Sequence, residues 1–196
     1  MSSFASNEFA RHYVPNSVIT VLHWWHHRLN DPSFFCLLWP LPEIQDIGIY
    51  VDASTSWGIG IIIGEHWYAF MLTNTWKIPG HDICWLEAIA LELLVYFLIQ
   101  LRFQHVHLLA SSDNNGAIGA HSKGRSSNDA INLCVHRTYA ASAAHLISLS
   151  FKYVESSLNP ADPILRGIVS IPPAKHLTRT FNLPNDLCGL IIDHYG

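Results

Sequence analysis

A short apolar run that ends in one carboxylate constrains the fold of this chain most strongly. Residues 47–51 are apolar or glycine, and Tyr50 and Val51 favour extended backbone, so the run predicts a buried β-strand. Asp52 follows directly, before a group of small polar residues. A carboxylate at the end of a buried strand is costly unless it is paired, hydrogen-bonded or bound to a metal ion. An aspartate that simply starts a turn is the alternative, and for Asp52 taken alone it is the simpler interpretation.

Periodicity and turn residues predict the order of strands and helices after this run. Strands are predicted at residues 47–51, 57–63, 66–73, 105–110 and 147–154, and helices at residues 83–101, 115–121, 130–145 and 161–166. Asp82 is suited to cap the first of these helices, and Asn128 or Asp129 the third. Three strands joined by short connections form an antiparallel meander, whereas strands reached through helical crossovers lie parallel. The predicted fold class is therefore α/β, a mixed five-stranded sheet with helices on both faces.

The apolar helix predicted at residues 83–101 is long enough to cross a membrane. Glu87 and Glu92 interrupt it, however, and a carboxylate in the middle of a bilayer is expensive, so a helix buried in a protein core is the better interpretation. Glu92 lies about 140° around the helix from Glu87, so we expect it to face elsewhere as a solvated or core-edge carboxylate. No membrane partner is expected.

Four acidic residues stand where predicted strands end or helices begin: Asp52, Glu87, Asp113 and Asp162. A right-handed crossover would place the fourth strand parallel to the first and beside it, so Asp52 and Asp113 would emerge together at one edge of the sheet. Carboxylates crowded in this way repel one another unless a hard divalent cation binds among them. Mg²⁺ prefers such oxygen ligands, which predicts a metal site. Asp82 and Asp129 are interpreted as helix caps.

The motifs around these carboxylates resemble the ribonuclease H domain of retroelement reverse transcriptases. The resemblance is to the kind carried by Gypsy-like and DIRS-like elements, in a form common in fungal genomes. The motifs that carry it are Val51-Asp52-Ala53-Ser54 with Trp57-Gly58, Trp85-Leu86-Glu87-Ala88, Ser112-Asp113-Asn114, Lys123-Gly124-Arg125-Ser126-Ser127-Asn128, and Asn159-Pro160-Ala161-Asp162 with Arg166-Gly167. Each motif is weak alone, but together they keep the order of the family over residues 47–168.

The resemblance implies a ribonuclease H-like fold and an enzyme that hydrolyses the RNA strand of RNA–DNA hybrids. Asp52 would bridge two Mg²⁺ ions, with Mn²⁺ as a substitute. Glu87 and Asp113 would hold one ion, and Asp162 would help to hold the other. All four carboxylates are therefore expected to be both catalytic residues and metal ligands.

The resemblance also implies contacts with the substrate. Ser54, Asn114 and Asn115 are expected to contact the minor groove or sugars, and Lys123 and Arg125 the phosphates. Most of the 11 Lys and Arg residues lie after residue 100, so a nucleic-acid surface is expected in the second half. The net charge of −4 argues against nonspecific coating of nucleic acid.

Some features depart from the family pattern and keep alternatives open. Many cellular ribonucleases H carry a histidine in the loop before the last aspartate, but residues 155–159 contain none. The chain has no Tyr-x-Asp-Asp motif, so it is not expected to copy nucleic acid. One alternative is a catalytically inactive, domesticated or decayed domain that binds nucleic acid or protein. Another is a related nuclease or a transposase-type integrase on the same fold.

The chain is predicted to divide into three parts. Residues 1–46 would hold an N-terminal helix, capped by Asn16 or Ser17 and running to about Leu29. They would also hold a segment that resembles the connection preceding ribonuclease H in such polyproteins. Residues 47–168 would form the ribonuclease H-like domain, and residues 169–196 a tail on it. A polymerase domain of the parent polyprotein is an expected partner. Four widely spaced cysteines and the absence of a secretory pattern predict an intracellular location, in cytoplasm or nucleus.

Overall fold

The computed structural model describes residues 14–31, 40–168 and 175–194. The chain divides into two compact units, Met1–Pro40 and Leu41–Gly196. In the first unit, α1 spans Asn16–Leu29, and none of its residues is buried. The helix starts where the sequence predicted, but the predicted cap is wrong. Pro15 occupies the N-cap position and no side chain caps the helix.

The second unit is built on a mixed sheet whose first three strands form the predicted meander. β1 (Ile44–Ala53), β2 (Gly58–Ile63) and β3 (His66–Leu72) are antiparallel neighbours. β4 (Val106–Ser112) lies parallel to β1, and β5 (Ile147–Tyr153) lies parallel to β4. The central order is thus β5-β4-β1-β2-β3. The predicted placement of the fourth strand beside the first is confirmed.

Two short strands from the tail extend this sheet. β6 (Lys175–His176) and β7 (Ile191–Asp193) both pair with β3, so the described sheet has seven strands rather than the five predicted. Strands this short carry no readable period, which is why the sequence pattern missed them. β1 also begins earlier than predicted, at Ile44. The polar residues Gln45 and Asp46 interrupt the apolar run there, and the pairing of β1 with β4 shifts register between Gln45 and Ile49. The division into residues 1–46, 47–168 and 169–196 stays a prediction.

Three of the four α-helices described in the second unit begin at side-chain caps. α2 spans Ile83–Gln100, and Asp82 accepts a hydrogen bond from the Trp85 N–H at 2.9 Å. Asn114 caps α3 (Asn115–Lys123), and Asn128 caps α4 (Asp129–His145). The fourth of these helices, α5, is short and spans Ala161–Leu165.

Successive residues of β2 face the two sides of the sheet, and helices cover both. On one side, Ile59, Ile61 and Ile63 join the main core with α2. On the other side, α5 packs so closely that a Cβ at Gly60 would lie 2.6 Å from the Ala161 carbonyl oxygen. The predicted fold class, a mixed α/β sheet with helices on both faces, is confirmed.

Helix α2 is the centre of the main core. Among the helices in the described residues, α2 has a length and hydropathy that would suffice for a membrane span, and 72% of it is buried within the protein. Glu92 faces elsewhere than Glu87, as predicted, but of the two expected environments, solvated or at the core edge, the solvated one is wrong. Its side chain is fully buried, and it accepts hydrogen bonds from Arg137 on α4 and from the Tyr96 hydroxyl. Arg137 also contacts Asp186, so this ion pair joins α2, α4 and the tail.

Candidate metal centre

Three carboxylates meet where β1, α2 and β4 come together. Asp52 lies near the end of β1, Glu87 lies in the first turns of α2, and Asp113 follows β4. Asp52 is 3% exposed and Glu87 is 1% exposed. One oxygen from each of the three carboxylates lies within 4.8 Å of the other two. The fold therefore gathers three of the four predicted metal ligands into a group that could hold one ion.

Burial and mutual repulsion raise the pKa values of the carboxyl groups at this site. Burial, followed by the charges of Asp113 and Asp52, raises the pKa of Glu87 to about 9. Burial likewise raises the pKa of Asp52 to about 7, with Asp113 and then Asp162 as the next causes. In the absence of a cation, the site therefore holds protons near neutral pH. A divalent cation would replace those protons and remove the repulsion.

Hydrogen bonds fix the orientation of these carboxylates. The Ala53 N–H donates to Glu87 Oε1 at 3.0 Å, and the Ser112 hydroxyl donates to Glu87 Oε2 at 3.3 Å. The Ser156 hydroxyl donates to Asp113 Oδ2 at 2.5 Å. Neither serine was among the predicted site residues. Ser112 could have been suspected because it precedes Asp113 at a strand end, whereas Ser156 reaches the site only through the fold.

Asp162, the fourth predicted ligand, lies close to this group but has a partner of its own. It is on α5, where Arg166 donates to both of its oxygens at 3.0 and 3.1 Å through Nε. The charge of Asp162 raises the pKa of Asp52, and the charge of Arg166 lowers it. Asp162 is thus within electrostatic reach of Asp52, but it is not part of the three-carboxylate group.

Asn159 ties α5 to the strand that carries Asp52. It is 3% exposed, and its Nδ2 donates to the Val51 carbonyl at 2.8 Å. Its Oδ1 accepts from the Ala161 N–H at 3.1 Å. The Asn159 amide therefore contacts both the residue before Asp52 and the residue before Asp162. These two hydrogen bonds hold the backbone next to Asp52 and the backbone next to Asp162 in fixed relative positions.

Three of the five predicted substrate-binding residues line one groove. Asn115, Lys123 and Arg125 are exposed along a groove of about 520 Å³ that follows α3, with Gly116, Gly119, Ala120, Ser126 and Ser127. Because Asn115 follows Asp113 closely in the chain, the groove begins beside the carboxylates.

The other two predicted substrate-binding residues take part in local structure. The Asn114 side-chain oxygen accepts from the Ala117 N–H at 3.0 Å to cap α3. The Ser54 hydroxyl accepts from the Ser56 N–H at 3.3 Å in the turn after β1. Both residues adjoin the carboxylates in sequence, at the ends of β1 and β4.

The residues present fit a hard divalent cation. Carboxylate oxygens are the ligands that Mg²⁺ and Mn²⁺ prefer, and three carboxylates converge here. The raised pKa values of Asp52 and Glu87 show that the fold brings these acids together at an energetic cost in the absence of a cation. The donor set and its electrostatics both favour a metal centre.

Comparison with known proteins adds little to this description. No family model and no curated protein matches the chain. Among solved structures, ribonuclease H1 from the halophilic archaeon Halobacterium salinarum NRC-1 is similar, at 10% sequence identity and a TM-score of 0.44, over 64% of this chain and 98% of that one. A likeness this weak carries no conclusion about function.

Proposed function

We propose that this protein is a metal-dependent endonuclease of the ribonuclease H type, which hydrolyses the RNA strand of RNA–DNA hybrids. The observation that carries the proposal is the meeting of Asp52, Glu87 and Asp113, two of them buried, within 4.8 Å of one another. Buried acids with strongly raised pKa values beside a surface groove are typical of catalytic sites.

Each carboxylate has a role in this proposal. Asp52, Glu87 and Asp113 would hold one Mg²⁺ or Mn²⁺ ion, and Asp52 and Asp162 a second. Bound metal would supply an activated water and stabilise the leaving 3′ oxygen of the RNA strand. Arg166 neutralises Asp162 in the metal-free protein. Since both side chains of this pair are partly exposed, the ion pair is weak and can open when a cation competes for Asp162.

The groove along α3 would receive the nucleic acid. Lys123 and Arg125 would contact phosphates, and Asn115 would contact a sugar or base edge near the carboxylates. Ser54 and Asn114 stay candidates for reading the 2′-hydroxyl, which is the group that distinguishes RNA from DNA. Descent from a retroelement polyprotein, with its polymerase domain as a partner and an intracellular location, belongs to the same proposal. Its support is the order of the sequence motifs.

A cleavage assay tests the proposal. An end-labelled RNA annealed to DNA would be incubated with the full chain and Mg²⁺ or Mn²⁺, with EDTA and the DNA duplex as negative conditions. We expect the wild-type protein to make internal cuts in the RNA strand only. Asp52→Asn should make no cuts. Glu43→Gln, which neutralises an exposed carboxylate just before β1, is the control and should cut like wild type. An intact RNA strand under all conditions would refute the nuclease. Binding without cleavage would favour the inactive binding module instead.

A further inference from the structure

The segment between β5 and α5, residues 154–160, is attached to both strands that deliver carboxylates. At its start, the Val154 N–H donates to the Ser112 carbonyl at 3.0 Å, at the end of β4. Near its end, the Asn159 side chain donates to the Val51 carbonyl of β1 at 2.8 Å. The segment therefore crosses the sheet edge beside the metal centre with both of its ends fixed.

Ser156 lies between these two anchors, in a short 3-10 turn. The turn spans Ser156–Leu158, and the Asn159 N–H donates to the Ser156 carbonyl at 3.1 Å. Its hydroxyl donates to Asp113 Oδ2 at 2.5 Å. Because the backbone on both sides is held, the position of this hydroxyl is set by the fold rather than by a mobile loop.

From this geometry we propose that Ser156 is a positioning residue for the metal ligand Asp113. The inference rests on the proposed function, since it concerns the same metal centre. A hydroxyl bonded to Oδ2 fixes the rotation of the Asp113 carboxylate, so the group is oriented toward Asp52 and Glu87 before a cation arrives. Hydrogen-bonding partners of metal ligands act in this way, and their loss weakens metal binding about 10–100-fold.

Asp113 depends on Ser156 more than Glu87 depends on any single partner. Glu87 receives two hydrogen bonds, from the Ala53 N–H and the Ser112 hydroxyl, inside the core. Asp113 follows the end of β4 and is only partly buried, so packing restrains it less. Removal of the Ser156 hydroxyl should therefore release this ligand while the others stay in place.

The effect on metal binding can be separated from an effect on folding. Ser156 is exposed, so its truncation leaves no buried polar group without a partner and should change stability little. Ser157, the next residue of the same turn and also exposed, provides a matched control. Threonine at position 156 keeps a hydroxyl and should restore the bond.

The test is calorimetric titration of the full chain with Mn²⁺ and with Mg²⁺, without nucleic acid. We expect Ser156→Ala to bind about tenfold more weakly than wild type, and Ser156→Thr and Ser157→Ala to bind like wild type. Unfolding midpoints in EDTA should be the same for all four proteins. Equal metal affinity of wild type and Ser156→Ala would overturn this inference and leave the nuclease proposal intact. A wild-type protein that binds neither metal at millimolar concentration would overturn both.

Discussion

Neutralising Asp52 should make the metal-free protein more stable while abolishing its activity. The folded protein raises the pKa of this carboxyl from 3.8 to about 7, mainly by burial and then through the charges of Asp113 and Asp162. The folded state thus binds the proton more tightly than the unfolded chain. The free energy of unfolding therefore falls as the pH rises between these two values.

The raised pKa of Asp52 sets the size of the effect. Each pKa unit corresponds to about 1.4 kcal/mol, so a rise of about three units makes ionised Asp52 cost the folded state about 4 kcal/mol above pH 7. Relaxation and water entry reduce such penalties, so we expect Asp52→Asn to raise the free energy of unfolding by about 2–4 kcal/mol near pH 8. Near pH 4, where Asp52 is protonated in the folded protein and only partly ionised in the unfolded chain, the gain should be less than about 1 kcal/mol.

Urea unfolding in EDTA at these two pH values measures the difference. Glu43→Gln is the matched control, because this carboxylate is exposed and its neutralisation should change the free energy of unfolding by less than about 0.5 kcal/mol. Addition of Mg²⁺ should stabilise wild type and not Asp52→Asn. An Asp52→Asn protein that is no more stable than wild type near pH 8 would refute the electrostatic account of the site.

Further predictions concern metal binding, the buried ion pair and the groove. Metal affinity should rise with pH from about 6 to 9, because Asp52 and Glu87 must lose their protons before they can bind a cation. Calorimetry in buffers of different ionisation enthalpy would measure the number of protons released. Arg137→Ala should lower the free energy of unfolding by about 3 kcal/mol in a urea titration, because Glu92 would stay buried without its cation. Lys123→Gln and Arg125→Gln should each weaken hybrid binding and lower the salt dependence of the binding constant by about one unit of slope. A salt slope unchanged in both variants would place the nucleic acid elsewhere.

The sequence was sufficient to predict the elements that carry the carboxylates. The apolar run before Asp52 became β1, Asp82 became the cap of α2, and the parallel pairing of β4 with β1 follows from the crossover rule. These features depend on local periodicity, capping chemistry and chain topology. Periodicity and capping depend on residues that are near one another in the sequence, and the topology follows from the order of the elements. A sequence therefore shows these three features without a structure.

Contacts between distant segments could not be predicted in this way. Ser156 reaches Asp113, and Arg137 reaches Glu92, only because the fold brings separate elements together. The burial of Glu92 was missed for the same reason. The helical period shows on which face of α2 Glu92 lies, but not that α4 packs against that face. The two tail strands escaped prediction because two or three residues are too few to show a period.

The most direct test of the metal centre is anomalous diffraction from crystals of the protein soaked in Mn²⁺. The ion scatters anomalously and substitutes for Mg²⁺ at oxygen ligands, so it reports the site without any need for turnover. We expect an anomalous peak bonded to carboxylate oxygens of Asp52, Glu87 and Asp113, and no such peak in Asp52→Asn crystals. Well-ordered wild-type crystals with no anomalous peak among these three carboxylates would contradict the proposed metal centre.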